Sequence, residues 1–193
     1  MGNLGSIQNM LRKIGFQSLI TADIGIIEQA EKLILPGVGS FDQAMSNLNQ
    51  MGLVEIIQKK VVGGTPLLGI CLGMQLLANS SEEGKLPGLG LIPGKVIKFK
   101  LSPELKIPHM GWNLVNYTTS PLYANFAELE EARFYFVHSY YYVCDDEKHI
   151  SGTTQYGLLF TSSVQKYNVF GAQFHPEKSH KFGKLLLKNF AEI

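Results

Sequence analysis

The stretch Pro66-Leu67-Leu68-Gly69-Ile70-Cys71-Leu72-Gly73-Met74-Gln75 decides how the chain is read. Residues 66–70 form the short apolar run of a strand buried on both faces, and the run turns into a helix at a cysteine held between two glycines. Such a turn crowds the backbone and needs small neighbours. It is the arrangement of a nucleophile elbow with sulfur in place of the serine oxygen. The N-terminus of the following helix favours the thiolate, and backbone N–H groups there, Leu72 first among them, can hold an oxyanion. Taken alone, a cysteine is more commonly a small buried hydrophobe.

Upstream of this stretch, segments of strand length alternate with longer segments at helical spacing. Leu4, Ile7, Leu11 and Ile14 make a helix stripe that Gly15 can end, and residues 18–21 read as a strand. Leu33-Ile34-Leu35 is a buried strand closed by Pro36-Gly37-Val38-Gly39, and residues 41–62 carry helical periodicity broken at Gly52. Alternation of this kind predicts βαβ units, a parallel sheet with helices on both faces, and ligands gathered at the carboxyl ends of the strands. The loops after Leu35 and Ile70 are therefore the places to search.

The second half changes character. Residues 95–100, 112–117, 133–143, 150–155 and 159–165 read as β segments, some of them antiparallel, before a strand over 169–174 and a final helix over 179–190. No internal repeat, low-complexity tract or linker divides the chain, so residues 1–193 are expected to form one domain. At this length roughly 70% of the unfolded surface is buried on folding, enough for a core without disulfide or metal staples.

Composition narrows the function. A hydrophobic share of 45%, 17% charged residues and a net charge of +1 lack the basic excess of a nucleic-acid binder. No 18-residue uncharged apolar run occurs, and the first 16 residues read as an amphipathic helix and not as a signal peptide, so a cytoplasmic protein without a membrane segment is expected. Cys71 and Cys144 make neither a disulfide framework nor a zinc pattern. Cys144, behind a Tyr-rich strand with no glycine turn, reads as a small buried hydrophobe. The histidines lack paired ligand spacing, so no metal or organic cofactor is expected.

A thiol that attacks an amide needs a base for its proton and a group to orient that base. Gln173-Phe174-His175-Pro176-Glu177 offers both. In extended chain the residues at i and i+2 point to one side, so Glu177 can accept a hydrogen bond from one ring nitrogen of His175 and leave the other facing sulfur. Pro176 withholds an N–H and marks the end of the strand. His109, His138, His149 and His180 are rival bases.

Together, GICLGMQ (residues 69–75) and QFHPE (residues 173–177) resemble the class I (triad) glutamine amidotransferases over nearly the whole chain. PGVGSF (residues 36–41), PHMGWN (residues 108–113) and FVHSY (residues 136–140) are similar to the glutaminase subunits of imidazole glycerol phosphate synthases. The resemblance implies a flavodoxin-like α/β architecture in which Cys71 attacks the glutamine carboxamide, His175 shuttles the proton and Glu177 orients it. It further implies an oxyanion hole at Val38, Gly39 and Leu72. Substrate contacts are implied at Gly37, Gln75, Glu83, Ser139 and Tyr140, with Glu83 on the glutamine α-amino group and the Ser139–Tyr140 segment at its α-carboxylate. His109, Trp112 and Asn113 would face a cyclase subunit with a (β/α)8 barrel that receives the ammonia.

Two other readings compete. In one, the same glutaminase chemistry serves a paralogous barrel synthase that amidates sugars of surface polysaccharides. In the other, a stand-alone cysteine hydrolase releases its product to solvent. One departure from the family stands out: it opens with an apolar strand and a D-Y-G-like turn ahead of M-G-N, whereas this sequence begins at Met1-Gly2-Asn3. The expectation is a sheet without its first strand, through a start site assigned late or a shortened chain, with ladder edges and core side chains left exposed.

Overall fold

The computed structural model of the chain describes residues 4–37 and 39–193. In chain order come α1 (Leu4–Lys13), α2 (Ile24–Gln29), β1 (Leu33–Gly37), α3 (Phe41–Gln50), α4 (Leu53–Val62), β2 (Leu67–Cys71) and the single turn α5 (Leu72–Gln75). Then follow β3 (Ser80–Ser81), β4 (Gly94–Lys98), β5 (His109–Leu114), β6 (Asn116–Tyr117), β7 (Arg133–His138) and β8 (Tyr140–Cys144). The chain closes with β9 (Ile150–Tyr156), β10 (Leu158–Lys166), β11 (Val169–Ala172) and α6 (His180–Glu192). Among the described residues no helix is long and apolar enough to cross a membrane.

A nine-stranded mixed sheet runs β1-β2-β11-β10-β8-β4-β3, with β9 and β6 attached through β10. Its parallel part lies around the cysteine turn, where β2 is flanked by β1 and β11, both parallel to it. The remaining pairings are antiparallel except for the short β3–β4 pair. A separate antiparallel ribbon, β5–β7, stands beside this sheet.

Alternation along β2 explains why helices cover both faces. Leu68 and Ile70 point into one core with Ile7 and Leu11 of α1 and Leu186, Leu187 and Phe190 of α6. Leu67 points into the other, with Ile27 of α2, Met45 and Leu48 of α3 and Ile56 and Ile57 of α4. Gly52, at φ +67°, separates α3 from α4 where the helical spacing breaks. The first core is rich in aromatics: Phe134 stacks on Phe174 at 3.9 Å between centroids, anchoring β7 against the chain just before His175.

Three expectations change in detail. Residues 18–21 do not form a strand; they line an apolar groove of about 640 Å³ along the outer side of β1, where no described strand offers them a ladder. The strand expected over 169–174 stops at Ala172, because the chain then leaves the ladder to build the turn holding His175. The segment over 133–143 divides at Ser139, with β7 pairing to β5 and β8 joining the main sheet.

Candidate active site

Cys71 ends β2 and caps α5 in a conformation that L-residues rarely adopt, φ +55° and ψ −111°. Strain of this kind persists only where the surroundings enforce it. Here they do so through backbone contact. A Cβ on Gly69 would sit 2.6 Å from the Gly73 carbonyl oxygen, and one on Gly73 would run into the carbonyl oxygen of Leu35 in β1. The two glycines therefore let strand, turn and neighbouring strand close on one another. α5 is only one turn long, so any contribution comes from the N–H groups of its first residues and not from an extended helix dipole.

The base comes from the neighbouring strand. β11 pairs in parallel with β2 up to Ala172 opposite Ile70, which brings the following residues alongside Cys71. His175 is extended, as expected from the sequence, but the chain enters a tight 3₁₀ turn over Pro176–Lys178 directly after it, so Glu177 reaches the ring from the turn and not along continuous extended chain. Three hydrogen bonds fix the turn: His175 N–H to the Tyr135 carbonyl at 2.9 Å, Ser179 Oγ–H to the His175 carbonyl at 2.6 Å, and Tyr135 N–H to Ser179 Oγ at 3.0 Å.

His175 Nδ1 lies 2.8 Å from Glu177 Oε1, and the two side chains are only 6% and 3% exposed. A carboxylate can only accept, so Nδ1 carries a hydrogen. Nε2 is buried with no hydrogen-bond partner among the described residues. Burial draws the His175 pKa down, but the nearby Cys71 sulfur and the Glu177 carboxylate outweigh it and raise the pKa to about 9. The arrangement can hold, on one ring nitrogen, the proton that leaves sulfur while a carboxylate holds the other.

The other candidate site residues are held by separate contacts. Gly37 lies in register opposite Cys71. Gly39 follows at φ +102°, a conformation open to glycine, while Val38 lies outside the described residues. Gln75, 6% exposed, donates through Nε2 to the Tyr140 carbonyl at 3.2 Å and to Gln173 Oε1 at 3.0 Å. Gln173 Nε2 in turn points at Cys71 Sγ from 3.8 Å. Glu83 accepts the Phe41 N–H at 2.8 Å and so supplies the capping bond that Ser40 does not make at the start of α3. Its neighbour Glu82 instead accepts from Lys98 N–H on β4. Ser139 lies between β7 and β8, its carbonyl accepting from Phe99 N–H.

One expectation about an interface is corrected. His109 is 3% exposed, stacked between Tyr156 and Phe136 at 4.0 and 4.9 Å, so its side chain cannot touch a partner. Asn113 turns partly inward to Gln155 and His109. Trp112 is 42% exposed and stacks on His180 at 5.4 Å, with Met110 and Leu114 exposed on the same strand. None of the rival histidines takes the place of His175. Burial lowers His109 to about 4 and His138 to about 3, and they bond to each other; His180 lies on Trp112. Cys144 is a thiol whose pKa burial and the Asp145 and Asp146 charges push up to about 12, consistent with an inert side chain.

Sequence reasoning passed over Gln173, although it opens the same motif two residues before His175. It also passed over Tyr135 and Ser179, which hold the turn and carry no local signal.

Fold and side chains describe an α/β protein in which the chain after β11 brings the buried His175–Glu177 pair alongside the Cys71 turn. Residues 3–193 match the glutamine amidotransferase class-I family. The chain is 60% identical over 191 residues, 98% of its length and 94% of the relative's, to imidazole glycerol phosphate synthase subunit HisH 2 of Methanococcus maripaludis. It is 50% identical over 196 residues, all of its length and 94% of the relative's, to the corresponding HisH subunit of Sulfurimonas denitrificans. A crystal structure of a glutamine amidotransferase shares the fold, with a TM-score of 0.77 over 99% of this chain and 93% of that one at 18% identity. The chain belongs to the class I glutamine amidotransferases, in the family of imidazole glycerol phosphate synthase HisH subunits.

Proposed function

We propose that residues 1–193 act as one glutaminase domain, which hydrolyses glutamine to glutamate and ammonia and supplies the ammonia to a synthase subunit. The buried His175–Glu177 pair beside the strained Cys71 turn carries this reading. His175 Nε2 holds the proton that leaves the thiol, and Sγ attacks the carboxamide carbon of glutamine. The oxyanion forms against the backbone N–H groups of Leu72, Val38 and Gly39. The tetrahedral intermediate collapses, the C–N bond breaks, and His175 returns the proton to the departing nitrogen as ammonia. Water, deprotonated by His175, then attacks the glutamyl thioester, releasing glutamate and the thiol. Gln75, Glu83 and the Ser139–Tyr140 segment bind the amino-acid end of the substrate.

Ammonia is lost to water and to protonation unless it is handed on directly, which favours a docked acceptor enzyme. The relatives are named as subunits of imidazole glycerol phosphate synthase, which favours the histidine-pathway acceptor over a sugar-amidating synthase. The partner in this reading is a (β/α)8-barrel cyclase, met by the exposed face around Trp112, and the reaction takes place in the cytoplasm.

Glutamate release is the test, measured for the chain alone and with the barrel cyclase and its phosphoribulosyl formimino carboxamide nucleotide. Strong stimulation by that pair and complete loss of turnover in Cys71→Ala are expected. Undiminished turnover in Cys71→Ala would refute the mechanism, and stimulation by a sugar-amidating barrel alone would reassign the acceptor.

A further inference from the structure

The triad leaves unused a run of hydrogen bonds that crosses the aromatic core. Asn113 Nδ2 lies 3.2 Å from His109 Nε2, His109 Nδ1 lies 2.9 Å from His138 Nε2, and His138 Nδ1 lies 2.7 Å from the Tyr140 carbonyl oxygen. The direction of every bond is determined. A carbonyl only accepts, so His138 Nδ1 bears a hydrogen. Burial keeps both rings neutral, leaving one N–H on each. His138 Nε2 therefore accepts from His109 Nδ1–H, and His109 Nε2 accepts from Asn113. The Asn113 carboxamide is oriented independently, its Oδ1 accepting Leu114 N–H at 2.8 Å and its Nδ2 donating to the Gln155 carbonyl at 3.0 Å.

Stability alone does not account for the two imidazoles. They sit among Phe99, Phe136, Tyr156 and Phe160, where apolar rings of similar shape would serve packing without desolvating polar atoms. What the imidazoles add is a fixed donor beneath one carbonyl. That carbonyl, of Tyr140, is also an acceptor for Gln75, whose other amide hydrogen goes to Gln173, and Gln173 reaches Cys71 Sγ.

We propose that the His109–His138 pair is a positioning device, which holds the Tyr140–Tyr141 peptide and with it the Gln75 carboxamide in the orientation that receives the amino-acid end of the substrate. The proposal rests on the glutaminase reading above. Without the His138 donor the Tyr140 carbonyl is free to tilt, and Gln75 loses a fixed acceptor. The consequence falls on substrate binding more than on the bond-breaking step, because the Cys71–His175–Glu177 geometry is held separately by the turn at residues 176–178.

His109→Phe keeps the stacking on Tyr156 and Phe136 and removes the donor to His138 Nε2 that pins the His138 proton on Nδ1, whereas His109→Asn keeps an N–H close to the Nδ1 position. With the full chain and its synthase partner, His109→Phe is expected to raise KM for glutamine about tenfold with kcat within about threefold, the loss of roughly one hydrogen bond. His109→Asn is expected to restore KM. The side-chain amide resonance of Gln75, read by nitrogen-15 NMR, should shift in His109→Phe and return in His109→Asn. An unmoved Gln75 resonance, an unchanged KM, or equal losses in both variants overturns the proposal. If the parent chain hydrolyses no glutamine, the glutaminase reading fails and the Gln75 resonance alone judges the relay. Asn113→Ala carries the same measurements should His109→Phe not fold.

Discussion

Glu177→Gln removes a charge while keeping a shape. The His175 Nδ1–H to Glu177 Oε1 bond, 2.8 Å long and almost fully buried, is charge-assisted and worth about 1.5–3 kcal/mol, against about 0.5–1.5 kcal/mol for a neutral acceptor. If the new amide keeps its oxygen toward the ring, the difference of about 1–2 kcal/mol lowers kcat roughly 5- to 30-fold. If it turns its nitrogen to the ring, the proton moves to Nε2, the nitrogen that must receive one from sulfur, and the loss approaches ~10⁴. Stability should change with it. A folded-state pKa raised from 6.5 to about 9 contributes stability that is complete below pH 6.5 and is lost as the pH climbs through 9. Glu177→Gln takes away one of the two groups that hold this pKa up, so the decline in the urea midpoint between pH 6.5 and 9 should flatten. Glutamate release in the partner complex and urea unfolding at a series of pH values read the two effects. A kcat within twofold of the parent, together with an unaltered pH slope, would refute the orienting role of Glu177.

Two further outcomes follow from the site. Gly73→Ala forces a methyl into the Leu35 carbonyl oxygen, a backbone atom that cannot swing aside, and should cost about 1–3 kcal/mol together with most activity; a parent-like urea midpoint would contradict the close approach. Iodoacetamide at pH 8 should modify Cys71 while sparing Cys144, whose pKa near 12 leaves about one thiolate in 10⁴; mass mapping that finds both cysteines labelled at similar rates would show the Cys144 environment to be misjudged.

Much of this site is legible in the residues themselves. Glycines at 69 and 73 announce a crowded turn because nothing larger fits, and His175 and Glu177 lie too close in sequence to miss each other. The alternation of strands and helices likewise marks the carboxyl end of β2. Other features depend on partners distant in sequence. Residues 18–21 have strand composition, yet a strand exists only where a neighbour supplies a ladder, and composition does not report that neighbour. His109 looks like a surface residue beside Trp112 until the β5–β7 register turns it inward, a change of face that one residue of register decides. Gln173 acquires meaning only when β11 lies beside β2 and its amide comes within reach of sulfur.

That adjacency of β2 and β11 also bears on the life of the chain during its synthesis. Cys71 and His175 are 104 residues apart in sequence, an interval of about 5–20 s at ordinary rates of translation. Through that interval the emerging polypeptide has its thiol and lacks the strand that carries its base. Glutamine is thus safe from a half-made chain, and the first turnover waits on the last strand to leave the ribosome.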